Sequence, residues 1–243
     1  DLTKTKLPPS GGFLLPERAQ PPRYAKPLAV FFHPKKGPFM ASVPTGTTFA
    51  VATAFAAAKT ISAISNAVEA SVSATAHGYA AGDVVEITSG WGRLNRRVFE
   101  VKSVTTDAFV IAVDTTNLNF YPAGSSAGSV RKVQTWTQIS QVLEFSTGGG
   151  DQQFVTYSFL ENDFETQIPT VKSPSTITMS VGDDSSLPWY TVMSTANDDR
   201  VPRAVKMTLP SGSLILYNGY VTLNKTPTMT KNQLMALQST IAM

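Results

Sequence analysis

The clearest pattern in the chain is an alternation of apolar and hydroxyl side chains in its last third. In the segment 176–181, the apolar residues Ile177, Met179 and Val181 alternate with threonine and serine, and the segment 204–209 repeats the pattern. A period of two is typical of a sheet that is buried on one face only. A long, nearly uncharged wet face suits the lining of a channel. The candidate residues of that face are Thr176, Thr178, Ser180, Lys206 and Thr208.

The middle of the chain also favours strands. Residues 133–160 predict a hairpin in which Ile139, Leu143 and Phe145 share a face, and the Gly-rich turn 148–151 leads into a second strand. Residues 45–58, rich in Ala, Thr and Val, fit a helix or a strand equally well. Between them the pattern predicts a compact segment of short strands at Val72–Thr75, Val84–Ile87, Val98–Val104 and Phe109–Val113.

One helix is predicted near residue 188. Ser185 and Ser186 are suitable capping residues, and Pro188 suits the first turn. The apolar residues that follow have helical spacing, so the helix has one face to bury. These are Trp189, Val192, Met193 and Ala196.

The first 44 residues hold nine of the sixteen prolines. Because each proline removes a backbone donor and fixes φ, the segment is expected to run extended as an arm. Its scattered aromatic residues indicate that it docks on its own domain or on a neighbouring subunit. The basic residues that we expect to make such contacts are Arg18, Arg23, Lys26, Lys35 and Lys36.

Charge is distributed unevenly along the chain. Residues 1–58 carry seven Lys or Arg and two acids, residues 59–132 carry seven and six, and residues 133–243 carry six and nine, so the balances are +5, +1 and −3. A basic arm beside an acidic body favours self-association over nucleic-acid binding, although solvated charge without a partner would give the same counts. The chain contains no run of about 18 apolar residues, so no membrane-spanning helix is predicted.

No catalytic, cofactor-binding or metal-binding residues are predicted. The chain has no cysteine and two histidines, His33 and His77, which argues against a zinc site. Residues 124–128 spell the Gly-x-Ser-x-Gly motif of hydrolases but lack a downstream histidine, so we interpret them as a loop. The alternating acids Glu161, Asp163 and Glu165 fit a solvated loop, with calcium binding as the minor alternative.

Two resemblances organise these observations. Residues 77–87, with His77-Gly78 and Gly82-Asp83, and the stretches 94–101 and 109–111 resemble the small β-barrel module first described as the first catalytic-cysteine half-domain of ubiquitin-activating enzymes. This resemblance implies architecture and not ubiquitin chemistry, because no cysteine exists here. The same module occurs in phage structural proteins.

The second resemblance covers about residues 133–243. An acidic stretch at 161–165, a Thr-alternating strand, a short helix, the sequence 206–212 (Lys-Met-Thr-Leu-Pro-x-Gly) and Thr226-Pro227 follow one another in an order similar to the major tail tube proteins of long-tailed siphophages, the family that includes the lambda tail tube protein. The resemblance implies a β-sandwich or barrel with one flanking helix. It also implies a virion protein, made in the bacterial cytoplasm, whose hexameric rings stack into the tube that conducts DNA.

This interpretation divides the chain into an arm (1–44), a tail tube β domain (45–59 and 133–243) and an inserted small β domain (60–132). The implied partners are the protein itself, the tape-measure protein and viral DNA in the lumen, and other tail proteins at the tube ends. The alternative function is a distal tail component or adhesin in which the insert binds a host receptor. A basic, aromatic tip on the insert would contact host glycans or a neighbouring ring, or would be a cation resting on an aromatic ring within the domain; its residues are Trp91, Arg93, Arg96 and Arg97.

Overall fold

The computed structural model describes residues 45–243, and their fold is mainly β, as predicted. The predicted arm therefore lies outside the described residues. The strands are β1 (Thr48–Phe55), β2 (Lys59–Ile61), β3 (Ala63–Ile64), β4 (Ala70–Ser73), β5 (Val84–Ser89), β6 (Arg97–Val104), β7 (Ala108–Ile111), β8 (Gly128–Ile139), β9 (Val142–Gly149), β10 (Gln152–Tyr157), β11 (Thr166–Lys172), β12 (Ser175–Gly182), β13 (Arg203–Thr208), β14 (Leu214–Thr228) and β15 (Ala236–Ala242), with one helix, α1 (Pro188–Asp199), between β12 and β13.

Most strands belong to one continuous sheet. Its order is β3-β4-β7-β6-β5-β8-β1-β13-β14-β15-β12-β9, and β2 pairs with β8 beside this path. All described pairings are antiparallel. The long strand β14 pairs with β13 through residues 214–219 and with β15 through residues 220–228, so it carries the sheet from one layer into the other.

The sheet curls around its main hydrophobic core. Phe49 of β1 stacks on Phe145 of β9 with ring centroids 5.0 Å apart, although four strands separate β1 from β9 in the sheet. We call β8, β1, β13 and residues 214–219 the β1 arm of the curl, and β9, β12, β15 and residues 220–228 the β9 arm. Both arms turn apolar side chains inward, so the outward faces of the two arms point in opposite directions.

Strand β1 resolves the ambiguity of residues 45–58 in favour of a strand. Val51 and Ala52 are both fully buried, although adjacent strand residues point to opposite faces. Val51 belongs to the main core, whereas Ala52 belongs to a smaller cluster on the outward face. A segment buried on both faces lacks alternation, which is why the sequence pattern was ambiguous.

Helix α1 packs against β14, β8 and β1. Trp189, Met193 and Ala196 are buried in the main core, as the helical spacing predicted. Pro188 occupies the first turn, but the predicted serine cap is wrong because the N-cap residue is Leu187 and makes no side-chain capping bond. The hydroxyl of Ser186 instead bonds to Oδ1 of Asp184 at 2.5 Å. That hydrogen bond is the main cause that lowers the pKa of Asp184, and the hydrogen bond from the backbone N–H of the same serine adds to it.

Residues 59–132 build a second hydrophobic cluster from β2 to β7 and the first part of β8. Ile87, Leu94, Phe109 and Ile111 are fully buried within it. A third cluster joins this region to the outward face of the β1 arm through Val84 and other small side chains. The division of the chain into a tube domain and an insert stays a prediction, as does the resemblance of the insert to the ubiquitin-activating module.

The predicted hairpin across residues 133–160 is wrong. Strand β9 pairs with β12, where Phe145 lies opposite Met179, and β10 pairs with β11 to form a separate two-stranded sheet. Gln141 adopts a positive φ of 61°, which interrupts the predicted strand. As a result Leu143 is 53% exposed and does not share the buried face with Ile139.

Candidate functional site

The outward face of the β9 arm is a nearly uncharged surface built by strict alternation. In β12, Ile177, Met179 and Val181 are buried, and the residues between them face outward. The register aligns Thr178 with Ser146 of β9 on one side and with Thr240 of β15 on the other. Thr240 in turn lies opposite Thr222 of β14, so a row of four hydroxyls crosses the arm.

Neighbouring rows extend the same chemistry. Ser180 lies opposite Glu144 and Gln238, and Gln238 lies opposite Asn224. Glu144 carries the one formal charge among these outward positions of the β9 arm. We call this surface the hydroxyl face; its members are Glu144, Ser146, Gly148, Thr176, Thr178, Ser180, Tyr220, Thr222, Asn224, Gln238, Thr240 and Ala242.

The predicted wet-face residues do not all lie together. Thr176, Thr178 and Ser180 lie on the hydroxyl face, whereas Lys206 and Thr208 lie on the outward face of the β1 arm. Because the sheet curls, these faces point away from each other, and one channel cannot be lined by both. Lys206 rests over the ring of Trp136 with Nζ 4.8 Å from the ring centroid, so its charge has an aromatic partner within the chain.

Both edges of the β9 arm lack a second strand partner within residues 45–243. Strand β9 ends the sheet and pairs only with β12, and residues 220–228 of β14 have a strand only on the β15 side. Along the β14 edge, the backbone N–H of Leu223 donates to Oδ1 of Asn197 at 3.1 Å. Nζ of Lys225 lies 3.1 Å from Asp198, whose pKa is lowered chiefly by the hydrogen bond from Asn197 and then by Lys225.

The two-stranded sheet β10–β11 belongs to none of the described core clusters. Phe154, Val155, Ile168 and Val171 on its strands are more than half exposed. It joins the β9 arm at Gly149, which has a φ of +71°. A Cβ at Gly149 would lie 2.0 Å from the carbonyl oxygen of Pro174, so only glycine fits this junction.

A buried carboxylate joins the region 59–132 to the β1 arm. Glu86 is 5% exposed, and its Oε2 accepts a bond from Nε of Arg131 at 2.7 Å. Asn218 of β14 lies 3.4 Å from the other oxygen of Glu86 and donates to the carbonyl oxygen of Arg96 at 2.7 Å. The guanidinium of Arg131 also lies 4.1 Å from the ring centroid of Phe55.

Replacing Glu86 by glutamine is expected to lower the free energy of unfolding by about 1–3 kcal/mol, because the buried hydrogen bonds to a charged group are lost. Urea unfolding of the purified variant measures the loss. The matched control is Glu100→Gln, because Glu100 is exposed and forms no ion pair within residues 45–243. Equal stability of the two variants would contradict a structural role for Glu86.

The predicted tip of the insert is only partly a surface. Arg93, Arg96 and Arg97 are exposed, but Trp91 is 1% exposed, so its prediction as a surface residue is wrong. Its indole N–H donates to the carbonyl oxygen of Pro122 at 2.8 Å, and its ring packs edge-on against Tyr121. A tryptophan whose N–H finds such a partner can be buried without penalty.

The arginines pack on phenylalanines rather than on tryptophan. The guanidinium carbon of Arg93 lies 3.4 Å from the ring centroid of Phe120, and that of Arg97 lies 5.5 Å from Phe99. These contacts agree with the interpretation of the tip as cations resting on aromatic rings within the domain. The rings are those of Phe120 and Phe99, and not that of Trp91. The other predicted basic contacts, Arg18, Arg23, Lys26, Lys35 and Lys36, lie outside the described residues.

The candidate catalytic motif is a structural loop. Ser126 is 5% exposed, and its hydroxyl accepts the backbone N–H of Ile64 at 2.9 Å. His77 is 4% exposed; its Nδ1 accepts the backbone N–H of Tyr79, and its Nε2 lies 3.2 Å from the carbonyl oxygen of Ala108. Within residues 45–243, no group of three or more metal-binding side chains is assembled. No helix in that same range is long and apolar enough to cross a membrane.

Sequence reasoning missed nine of the twelve residues of the hydroxyl face. Thr222 and Asn224 alternate with Val221 and Leu223, and residues 237–241 of β15 have a similar though less regular pattern. The signal was therefore present in β14, but the pairing that places these strands beside β12 was not visible in the sequence.

Comparison with known proteins identifies the family of this chain. Residues 89–243 match the family model of the phage tail tube protein, TTP. The match begins inside the region predicted as an insert and includes all four strands of the β9 arm. No curated protein matches the chain. The matched residues make up more than half of the sequence, and the protein belongs to the phage tail tube protein family.

Proposed function

We propose that this protein assembles into stacked hexameric rings that form the tail tube of a long-tailed phage, through which viral DNA leaves the virion. The observation that carries the proposal is the β9 arm, a four-stranded layer with a nearly uncharged outward face and with two edges that have no further strand partner within residues 45–243. Strand edges that lack a partner within one copy favour pairing with the strand edges of further copies.

Ring closure would join the two edges of the β9 arm. The free edge of β9 in one copy pairs with residues 220–228 of β14 in the next, and each copy adds four strands to a continuous barrel. A closed barrel satisfies the backbone donors and acceptors of every edge. The contact at the β14 edge includes the end of α1, where Asn197 and Asp198 already bond to β14.

The hydroxyl face would line the lumen. Each phosphate contact made by lysine or arginine adds salt-sensitive affinity for DNA, which would retard its passage. A lining of threonine, serine, asparagine and glutamine avoids such contacts, and Glu144 adds weak repulsion of phosphate. In this arrangement Lys206 and Thr208 belong to the outer wall, which replaces our expectation that they line the channel.

The remaining parts of the proposal concern the insert, the partners of the tube and the N-terminal segment. The insert lies on the outward face of the β1 arm, so it projects from the outside of the tube. The lumen holds the tape-measure protein before it conducts DNA, and other tail proteins bind the tube ends. The protein is made in the host cytoplasm and incorporated into the virion tail. The basic residues of the proline-rich N-terminal segment, residues 1–44, contact the adjacent ring.

Purified protein is expected to form rings and tubes in negative-stain electron micrographs, with a hexamer as the smallest ring in native mass spectrometry. Assembly buries unpaired strand edges, so it should increase with protein concentration. Monodisperse monomer, both in concentrated solution and in phage particles, would contradict the proposal. A discrete trimer or monomer that binds bacterial cells would favour the adhesin instead.

A further inference from the structure

The tip of the β10–β11 hairpin is acidic and apolar. Residues 158–165 contain Glu161, Asp163 and Glu165 and no lysine or arginine. All three acids are exposed. The aromatic residues of the same segment are exposed as well: Phe159 is 57% exposed, and Phe164 is 68% exposed. We call residues 158–165 the hairpin tip.

A second surface has the complementary chemistry. Arg93, Arg96 and Arg97 lie on and just after the turn between β5 and β6, and all three are exposed. Beside them Phe120, under the guanidinium of Arg93, is 45% exposed. We call this surface the arginine turn. The arginine turn combines three cations with one exposed aromatic ring. The hairpin tip combines three anions with two exposed aromatic rings.

Neither surface finds an ion-pair partner within residues 45–243. Five ion pairs form in that range, and none includes an acid of the hairpin tip or an arginine of the arginine turn. Arg97 donates to the carbonyl oxygen of Arg93, and Arg93 stacks on Phe120. Arginine stacked on an aromatic ring keeps edge donors for carboxylates, so the turn is suited to an acidic partner.

The two surfaces are positioned for contact between copies. Arg96 and Arg97 line the same groove as Ser175 and Met243, and Ser175 begins β12 directly after the hairpin. The arginine turn therefore lies beside the base of the hairpin of its own copy. In a ring, equivalent atoms of all copies lie at the same height. A neighbour thus presents its arginine turn at the height of the hairpin base, and a six-residue strand such as β10 is about 20 Å long, which sets how far the tip can reach from that base.

We propose that the hairpin tip of one copy binds the arginine turn of the next copy in the same ring. This inference rests on the proposed function, because it requires a ring. The carboxylates of the tip pair with Arg93, Arg96 and Arg97, while Phe159 and Phe164 cover the ring of Phe120. The insert is then a part of the ring contact, and removal of its charges weakens assembly.

Cysteine cross-linking tests the contact directly, because the chain has no cysteine of its own. Leu160→Cys in the tip and Asn95→Cys in the turn are introduced into separate chains, mixed, assembled and treated with a short bismaleimide. A cross-linked dimer is expected in isolated rings. Cross-links confined to stacked tubes, or formed within one chain carrying both cysteines, would overturn a contact between ring neighbours.

Charge exchange supplies an independent test. Reversal of the tip (E161K, D163K and E165K) or of the turn (R93E, R96E and R97E) is expected to weaken ring formation about tenfold, since three exposed ion pairs are lost. The two reversals combined in one chain should restore it. Lys231→Glu, at another exposed loop, is the control and should change nothing.

The outcomes separate this inference from the proposed function. Wild-type rings whose assembly is unaffected by either reversal would overturn the contact and leave the tube intact. Reversals that weaken assembly without rescue in the combined chain would also overturn it. Wild-type protein that forms no rings would overturn the tube and, with it, the contact.

Discussion

Replacing Trp189 by alanine is expected to lower the free energy of unfolding by about 3–5 kcal/mol, because a fully buried indole is removed from the centre of the main core. Trp189 lies on the buried face of α1, within the main core to which both arms contribute side chains. Its loss leaves a cavity in the core that the two arms share. Urea unfolding monitored by circular dichroism measures the change.

Two further variants make this test specific. Trp136→Ala removes the same side chain from a partly buried position on the outward face of the β1 arm, and a smaller loss is expected. Trp189→Phe keeps most of the volume and also removes the indole N–H, which has no hydrogen-bond partner among the described residues. Trp189→Phe should therefore lower the free energy of unfolding by less than Trp189→Ala. If Trp189→Ala proved as stable as Trp136→Ala, the expected large contribution of Trp189 to the main core would be contradicted.

Local alternation was enough to predict individual strands. Ile177, Met179 and Val181 were assigned to the buried face from the pattern alone, and all three are buried. The turn at Gly212, with a φ of +84°, is likewise formed by residues that are adjacent in the chain, Pro210-Ser211-Gly212. These features depend on residues that are neighbours in the chain, so the sequence contains the necessary information.

Strand pairing depends on distant residues and was harder to predict. The sequence placed β9 against the strand that follows it, whereas β9 pairs with β12 across the whole β10–β11 hairpin. Both choices satisfy local alternation. The pairing with β12 also places Phe145 opposite Met179 and against Phe49, so burial in the shared core decides between them.

The same limit affected the candidate site. Thr178 and Thr208 have equivalent positions in two alternating strands, and the sequence gives no reason to separate them. The curl of the sheet does, because both threonines lie on outward faces and those two faces point in opposite directions. Trp91 was assigned to the surface because it stands among arginines in the sequence, while the carbonyl of Pro122 that accepts its N–H comes from a distant loop.

Substitution of Thr178 by lysine is expected to make assembled tubes bind DNA inside their lumen. Each subunit of a hexameric ring would add one cation to the hydroxyl face, where Glu144 is the one formal charge among the outward positions. With about six phosphate contacts, affinity should fall about a thousandfold between 50 and 200 mM salt. Co-sedimentation of short duplexes with tubes, followed by nuclease treatment, measures the bound and protected DNA.

Thr208→Lys is the matched control, because Thr208 is also a partly buried threonine of an alternating strand but lies on the β1 arm. Its lysine would face the outside of the tube, so any DNA that it binds should be digested by the nuclease, whereas DNA held by Lys at 178 should be protected. If like-charge repulsion prevents Thr178→Lys rings from closing, mixed rings with wild-type subunits dilute the added charge and keep the comparison. The opposite pattern, with protection in Thr208→Lys tubes alone, would assign the lumen to the β1 arm, because only a face enclosed by the ring can shield bound DNA from an enzyme in solution.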